Sequence, residues 1–275
     1  MPTYTLIKTL SNNVVLAKKD NREYILMGKG IGFGLKKQDE INNGFIERFF
    51  LAMNEDNLKQ YEQLLQYISY DVVDVVEEVI TMIKEEINEK LDERIHVNLV
   101  DHINFLITRL KEGINITNPF LKEISVLYKK EYYVAKKAVR LFEKYLNISI
   151  PEDEIGFIAL HIYSAQTSES SADMLKYTRL CNECIEVLEN YIGRSIDKES
   201  INYARMITHI RFAIQRLKLK EQSDNNLLKS IKEHLGKEYK IARQMANLLQ
   251  ESLDVKVSDD EVGYLAIHVN RLIKK

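Results

Sequence analysis

The chain has 275 residues, too many for one small core and enough for two or three domains. Its 45% hydrophobic and 29% charged residues are ordinary for a soluble globular protein. No apolar run approaches the roughly 20 residues needed to span a bilayer, and the opening stretch lacks the apolar core of a signal peptide. No membrane insertion is therefore expected, and the default location is cytoplasmic. The formal net charge of −2 hides a split. Residues 1–37 hold six Lys and one Arg against Asp20 and Glu23, a balance of +5, which leaves −7 for residues 38–275. A basic head on an acidic body points to a polyanionic partner at the head.

The head reads as short strands. Tyr4–Leu10 alternates and is rich in β-branched and aromatic residues, Asn12-Asn13 marks a turn, and Val14–Lys18 is a second strand. Lys19–Arg22 is a second turn and Glu23–Met27 a third strand. The run GKGIGFG (28–34) follows, with a fourth strand expected before Asp39. About 50 residues make a marginal core, and such a sheet gains by dimerising.

With only 3 Pro and 10 Gly, half of the Gly between Gly28 and Gly44, the rest of the chain reads as helical. From about Asn57 apolar residues recur at helical spacing, including Leu64, Leu65, Ile68, Val72, Val73, Val76 and Ile80. Asn118-Pro119 breaks one helix, and Pro151 followed by three acidic residues opens another. Gln166–Asp173 (QTSESSAD) looks like a linker. Cys181 and Cys184 form a C-x-x-C within a helical pattern, with no further zinc ligands suggested nearby, and read as two helix residues without chemistry.

An internal repeat organises the body. DHINFLITRLK (101–111) and THIRFAIQRLK (208–218) share seven of eleven residues at an offset of 107. DEIGFIALHI (153–162) and DEVGYLAIHV (260–269) share five of ten at the same offset. Two blocks at one offset imply two homologous all-α domains, near 60–167 and 172–275, behind a β head of about 1–56. Ser258 and Glu261 have the spacing of a capping box. Gly156 and Gly263 would let their helices pack closely.

Each repeat carries two histidines 59 residues apart: His102 and His161, then His209 and His268. One reading is structural, since duplication copies structural residues too. A metal site would want converging carboxylates, and Asp101 beside His102 becomes Thr208 in the second copy. An enzyme would want a nucleophile and a pocket, and no nucleophile elbow, phosphate loop or H-E-x-x-H helix is present. Phosphorylation is the third reading, because a neutral imidazole is a nucleophile near pH 7. Arg109 and Arg216, two turns after His102 and His209, are either charge partners for a phosphate or solvated helix surface. His96 and His234 lie outside the repeat blocks and read as structural.

The head and repeats together resemble the BglG/LicT/SacY family of transcriptional antiterminators. The resemblance covers essentially the whole chain, and MGKGIGFG, NPFLKEISVLY, PEDEIGFIALHIYSA and ESINYARMITHIRF are most like the glucose-responsive GlcT branch. It implies a four-stranded, dimerising RNA-binding head that grips a leader-mRNA hairpin and prevents an overlapping terminator. It implies two PTS regulation domains phosphorylated on His102, His161, His209 and His268 by HPr or a sugar-specific enzyme II. No cofactor, metal or catalytic residue is implied. The family's RNA-binding positions fall on Lys8, Asn12, Asn13, Gly28, Lys29, Gly30, Phe33 and Lys36. Asn amides suit base edges, Lys suits phosphates, and the Gly let backbone approach closely. Phe33 either stacks on an unpaired base or fills the sheet's core. Many relatives have Arg at the position of Lys29, a fork replaced by a point charge. Two other classes stay open: a DNA-binding regulator with a helix-turn-helix, and a metal-dependent enzyme using paired His.

Overall fold

The computed structural model describes residues 4–52, 54–167, 169–221 and 224–274. Its described residues begin with an antiparallel sheet of five strands: β1 (Tyr4–Ser11), β2 (Val14–Lys19), β3 (Arg22–Met27), β4 (Glu40–Ile41) and β5 (Arg48–Leu51), in the order β4-β1-β2-β3-β5. The first three strands are those the alternation predicts, and Val15, Ala17 and Leu26 face a core with Leu6, Ile31 and Ile41. The expected strand before Asp39 does not form. Positive φ at Gly30, Gly34 and Gln38 turns residues 28–39 back on themselves, and pairing resumes only at Glu40. The fifth strand, which carries the chain out of the head, is absent from both the pattern-based and the resemblance-based expectation.

The helices are α1 (Glu55–Leu64), α2 (Tyr70–Ile87), α3 (Arg94–Lys111), α4 (Leu121–Leu127), α5 (Lys129–Leu146), α6 (Asp153–Gln166), α7 (Ser171–Ile192), α8 (Ile201–Leu219), α9 (Leu228–His234), α10 (Gly236–Leu253) and α11 (Asp259–Ile273). The stretch read as a linker ends in a capping box: Ser170 accepts from the Asp173 amide, and Asp173 accepts from the Ser170 amide. At α11 only half of the expected box forms. Ser258 accepts from the Glu261 amide, but the Glu261 carboxylate is turned away to an arginine, a stronger charge-assisted partner.

Two compact units arise, and they do not follow the repeat. The first comprises residues 1–116, 134–152 and 165–167. In it, α3 packs on α1 and α2, and Tyr61, Glu77 and His96 form a buried hydrogen-bonded core. The second comprises residues 117–133, 153–164 and 168–275. Here α11 packs on α8 and α10, and α4 packs on α7 and α8. The buried Glu123 of α4 accepts from Tyr203 Oη and from Lys198 Nζ (2.7 Å). The repeated Gly earn a structural role: a Cβ on Gly156 would stand 2.5 Å from Asn118 Nδ2, and one on Gly263 2.8 Å from Asn225 Nδ2. Both Asn stand two residues before the N-cap of a short helix, their backbone N–H groups donating to Asp153 (2.8 Å) and Asp260 (3.2 Å).

Candidate functional site

In the head, a turn and a loop are laced together. Asn12 and Asn13 join β1 to β2. The Asn13 and Asn12 carbonyls accept from Gly28 N and Gly32 N, both at 3.0 Å, and Asn13 Oδ1 accepts from Gly30 N at 2.7 Å. The Asn13 carboxamide oxygen is thus committed to shaping the loop, which leaves its NH2 to address a ligand. Gly28 is indispensable to the packing, because a Cβ there would sit 1.7 Å from the Phe45 carbonyl oxygen. Gly32 is tight against Ser11 O at 2.6 Å, less severely, while Gly30 is required by its φ of +70°.

The bonds therefore bring Asn12, Asn13, Lys29 and Gly30 into one surface, with Phe33 at its edge, while Gly28 is buried beneath it, so its missing Cβ serves packing against Phe45 and not the approach of a ligand. Phe33 is 79% exposed, which removes the core reading and leaves an aromatic face presented to solvent. It borders a groove of about 400 Å³ with Leu35, Ile41 and Phe45. Lys8 follows a register shift in β1, a bulge that re-aims side chains. Its ammonium is not free: Glu62 of α1 accepts from Nζ at 2.8 Å. Lys36 stands apart, in a turn where its amide donates to Asp39 (2.8 Å).

Glu47 and Glu62 are the residues that sequence reading missed. Glu47 accepts from the Lys29 amide (3.4 Å) and from Tyr70 Oη (2.9 Å). Arg48 of β5 donates to Asp74 (2.9 Å) and Glu78 (2.8 Å) of α2, and Phe50 stacks on His96 with ring centroids 4.0 Å apart. Nothing in their spacing flags these residues, since their partners lie 18 to 54 positions away in sequence or on another element.

The histidine sites differ in kind. In the second unit the rings of His209 on α8 and His268 on α11 are stacked, centroids 3.5 Å apart and planes 20° from parallel. Burial, then the neighbouring His209, then Arg271 push the His268 pKa down to about 4. Burial, then Arg216 and Arg271, lower that of His209. Both rings are held neutral, as a nucleophilic imidazole requires. Arg216 is partly exposed but not a free cation: it forks onto the buried Glu261, with Nε 3.2 Å from Oε2 and a second bond to Oε1. Arg109 is buried, its guanidinium 5.0 Å from the Phe105 ring centroid.

His161 on α6 has Nδ1 3.3 Å from Ser171 Oγ of α7. His102 lies half-buried on α3 of the first unit. His96 and His234 differ in setting, one in the core and the other exposed on α9. His96 is buried between Glu77 (2.6 Å) and Glu93 (3.1 Å). Burial pulls its pKa down, but Glu77 and then Glu93 outweigh that and leave it raised. His234 Nδ1 lies 2.9 Å from the Ser230 carbonyl oxygen. Cys181 and Cys184 are buried thiols, and burial pushes the Cys181 pKa up to about 12, which suits core residues. Among the described residues no His, Cys, Asp and Glu cluster could hold a metal, and no helix is long and apolar enough to cross a membrane.

Family models match the chain in the order of these parts. A CAT RNA binding domain matches residues 4–59, and a PRD domain matches twice, at 77–165 and 182–272. Fold and sites thus define a regulator that joins an RNA-binding β domain to two helical PRD domains. Transcription antiterminator LicT of Bacillus subtilis is 32% identical over 274 residues, covering 98% of this chain and 99% of its own. Protein GlcT of Staphylococcus epidermidis is 36% identical over 273 residues, covering 98% and 97%. The crystal structure of GlcT CAT-PRDI matches with a TM-score of 0.54 at 42% identity, covering 60% of this chain and 99% of that one. The chain belongs to the BglG/LicT/SacY family of transcription antiterminators: it is an RNA-binding antiterminator whose PRD domains place it under phosphotransferase control.

Proposed function

We propose that the chain works in the cytoplasm as a homodimer that grips a leader-mRNA hairpin upstream of sugar-transport genes and so prevents a terminator from forming. The parts are a head near 1–56 and regulatory domains near 60–167 and 172–275. The observation that carries the reading is the Asn12-Asn13 turn bonded to the Gly28–Gly32 loop beside an exposed Phe33. Lys8 and Lys29 supply phosphate contacts, Asn12 and Asn13 meet base edges, Gly30 allows close approach on a loop that the buried Gly28 shapes from within, and Phe33 stacks on an unpaired base. Lys36 is the outlying member of this set. Apolar surface left on the head at Phe45 and Phe49 supports dimerisation.

His102, His161, His209 and His268 are the phosphoacceptors, with HPr and a sugar-specific enzyme II as donors. The chain accepts phosphate and is not itself an enzyme. The stacked neutral pair His209 and His268 supports this, because neutral imidazole is the form that attacks phosphorus. The test is binding of the full chain to the leader hairpin of the neighbouring transporter transcript over a salt series. Hairpin-specific binding that weakens linearly in log[salt] is expected, with Asn13→Ala costing at least about tenfold through lost base contact and a loosened loop. Equal affinity for scrambled RNA would overturn the reading.

A further inference from the structure

The two repeats align at an offset of 107, and the position one helical turn after the second histidine breaks the alignment: Ser164 in the first copy is Arg271 in the second. The substitution falls beside the proposed acceptors. Arg271 follows His268 by three residues on α11, so both lie on the same helix face. The end of α11 is anchored there, since Asn202 Nδ2 of α8 donates to the Arg271 carbonyl (3.3 Å).

The charges around the stacked rings are unequal in availability. Arg216 acts on His209, but its fork is closed on Glu261. Arg271 acts on both His209 and His268, is exposed, and has no carboxylate partner among the described residues. In the first repeat the equivalent position offers no charge at all. Ser164 is buried, and its hydroxyl is spent on the Glu169 carbonyl at 2.8 Å.

We propose that Arg271 is the phosphoryl-binding residue of the His209/His268 pair, and that its replacement by Ser164 makes the first repeat a chemically different acceptor. The proposal rests on the phosphoacceptor reading above and deepens it. In the transfer, the lone pair of a neutral imidazole nitrogen forms a bond to phosphorus while the donor's P–N bond breaks. The donor nitrogen keeps that electron pair and takes up a proton. About two negative charges then sit on the phosphoryl oxygens at neutral pH, and a planar guanidinium that can donate to two of those oxygens at once stabilises both the transfer and its product. An exposed Arg is worth less than a buried donor, whose removal typically costs roughly 10²–10³ in rate. A loss of about tenfold is expected here.

The full chain, treated with phosphoramidate as a small-molecule donor, gives the test. Occupancy of each histidine is followed by mass spectrometry of the four His peptides, with 31P NMR confirming the N–P linkage. In Arg271→Gln, phosphorylation of the His209/His268 pair should slow about tenfold while His102 and His161 keep their rates. Arg271→Lys should recover part of the loss, and in Arg271→Gln the ring signals of His209 and His268 should titrate at higher pH. If the unmodified chain is phosphorylated on the pair and Arg271→Gln matches it within about twofold, Arg271 is not the phosphoryl ligand, although the acceptor reading stands. If all four histidines slow together, the effect is structural and the proposal fails. No phosphate on His209 or His268 of the unmodified chain would remove the acceptor reading and this inference with it.

Discussion

Gly28 shows how much a single side chain can decide. Its missing Cβ leaves room for the Phe45 carbonyl, and its amide closes the bond to Asn13 that fixes the loop. Gly28→Ala forces backbone to move, and overpacking of this kind costs about 1–3 kcal/mol. Thermal unfolding should show a lowered midpoint, and hairpin affinity should fall with it. An unchanged midpoint would mean that the loop yields more easily than its hydrogen bonds suggest. Residue identity was readable here, since a Gly-rich run was visible in the sequence. Which of its Gly are needed for φ and which for space was not, because the clashing atoms belong to Phe45 and Ser11. Phe33 is similar: its type suggested either stacking or packing, and only its exposure chose between them.

At the scale of elements, α1 and β5 matter more than their modest patterns suggest. Helix α1 places Glu62 on Lys8, so a carboxylate occupies an ammonium that RNA phosphate would need. Glu62→Gln should therefore strengthen hairpin binding by the full chain a few-fold and steepen the salt dependence by about one released counterion. An identical affinity and slope would show that the pair opens without cost on RNA binding, as many exposed ion pairs do. Strand β5 is joined to α2 and α3 by Arg48 and Phe50. Its four residues alternate in burial, but the stretch is too short and aromatic to separate from a loop by periodicity alone.

For the whole molecule, the histidines give stability a pH dependence of mixed sign. Between about 4 and the ordinary 6.5, the unfolded chain holds a proton on His268 that the folded chain refuses, so stability rises with pH across that window. His96 acts in the opposite sense. Its raised pKa contributes stability that is complete below 6.5 and is lost as pH rises through its folded value. Unfolding scanned from pH 7 to pH 4.5 should show a fall toward acid that is shallower in His268→Gln. A variant whose profile overlays that of the unmodified chain would place the acid sensitivity elsewhere.

The sequence alone determined the first three strands of the head and the helical class of the body, but not the path from Gly28 to Leu51. Alternation in the head, helical spacing in the body and a duplication at one offset are properties of near neighbours or of self-comparison, and both survive without coordinates. The motifs then carried the family and the identity of the candidate residues. What tertiary structure decided was where polar groups end up relative to distant partners. It stacked His209 on His268 across 59 residues, closed Arg216 on Glu261 where a capping box was expected, buried Arg109, and set Glu62 against Lys8. The reason is physical. A carboxylate or imidazole takes whichever partner the packing of apolar faces brings within about 3 Å, and that packing is a property of the assembled helices, not of any local run of residues.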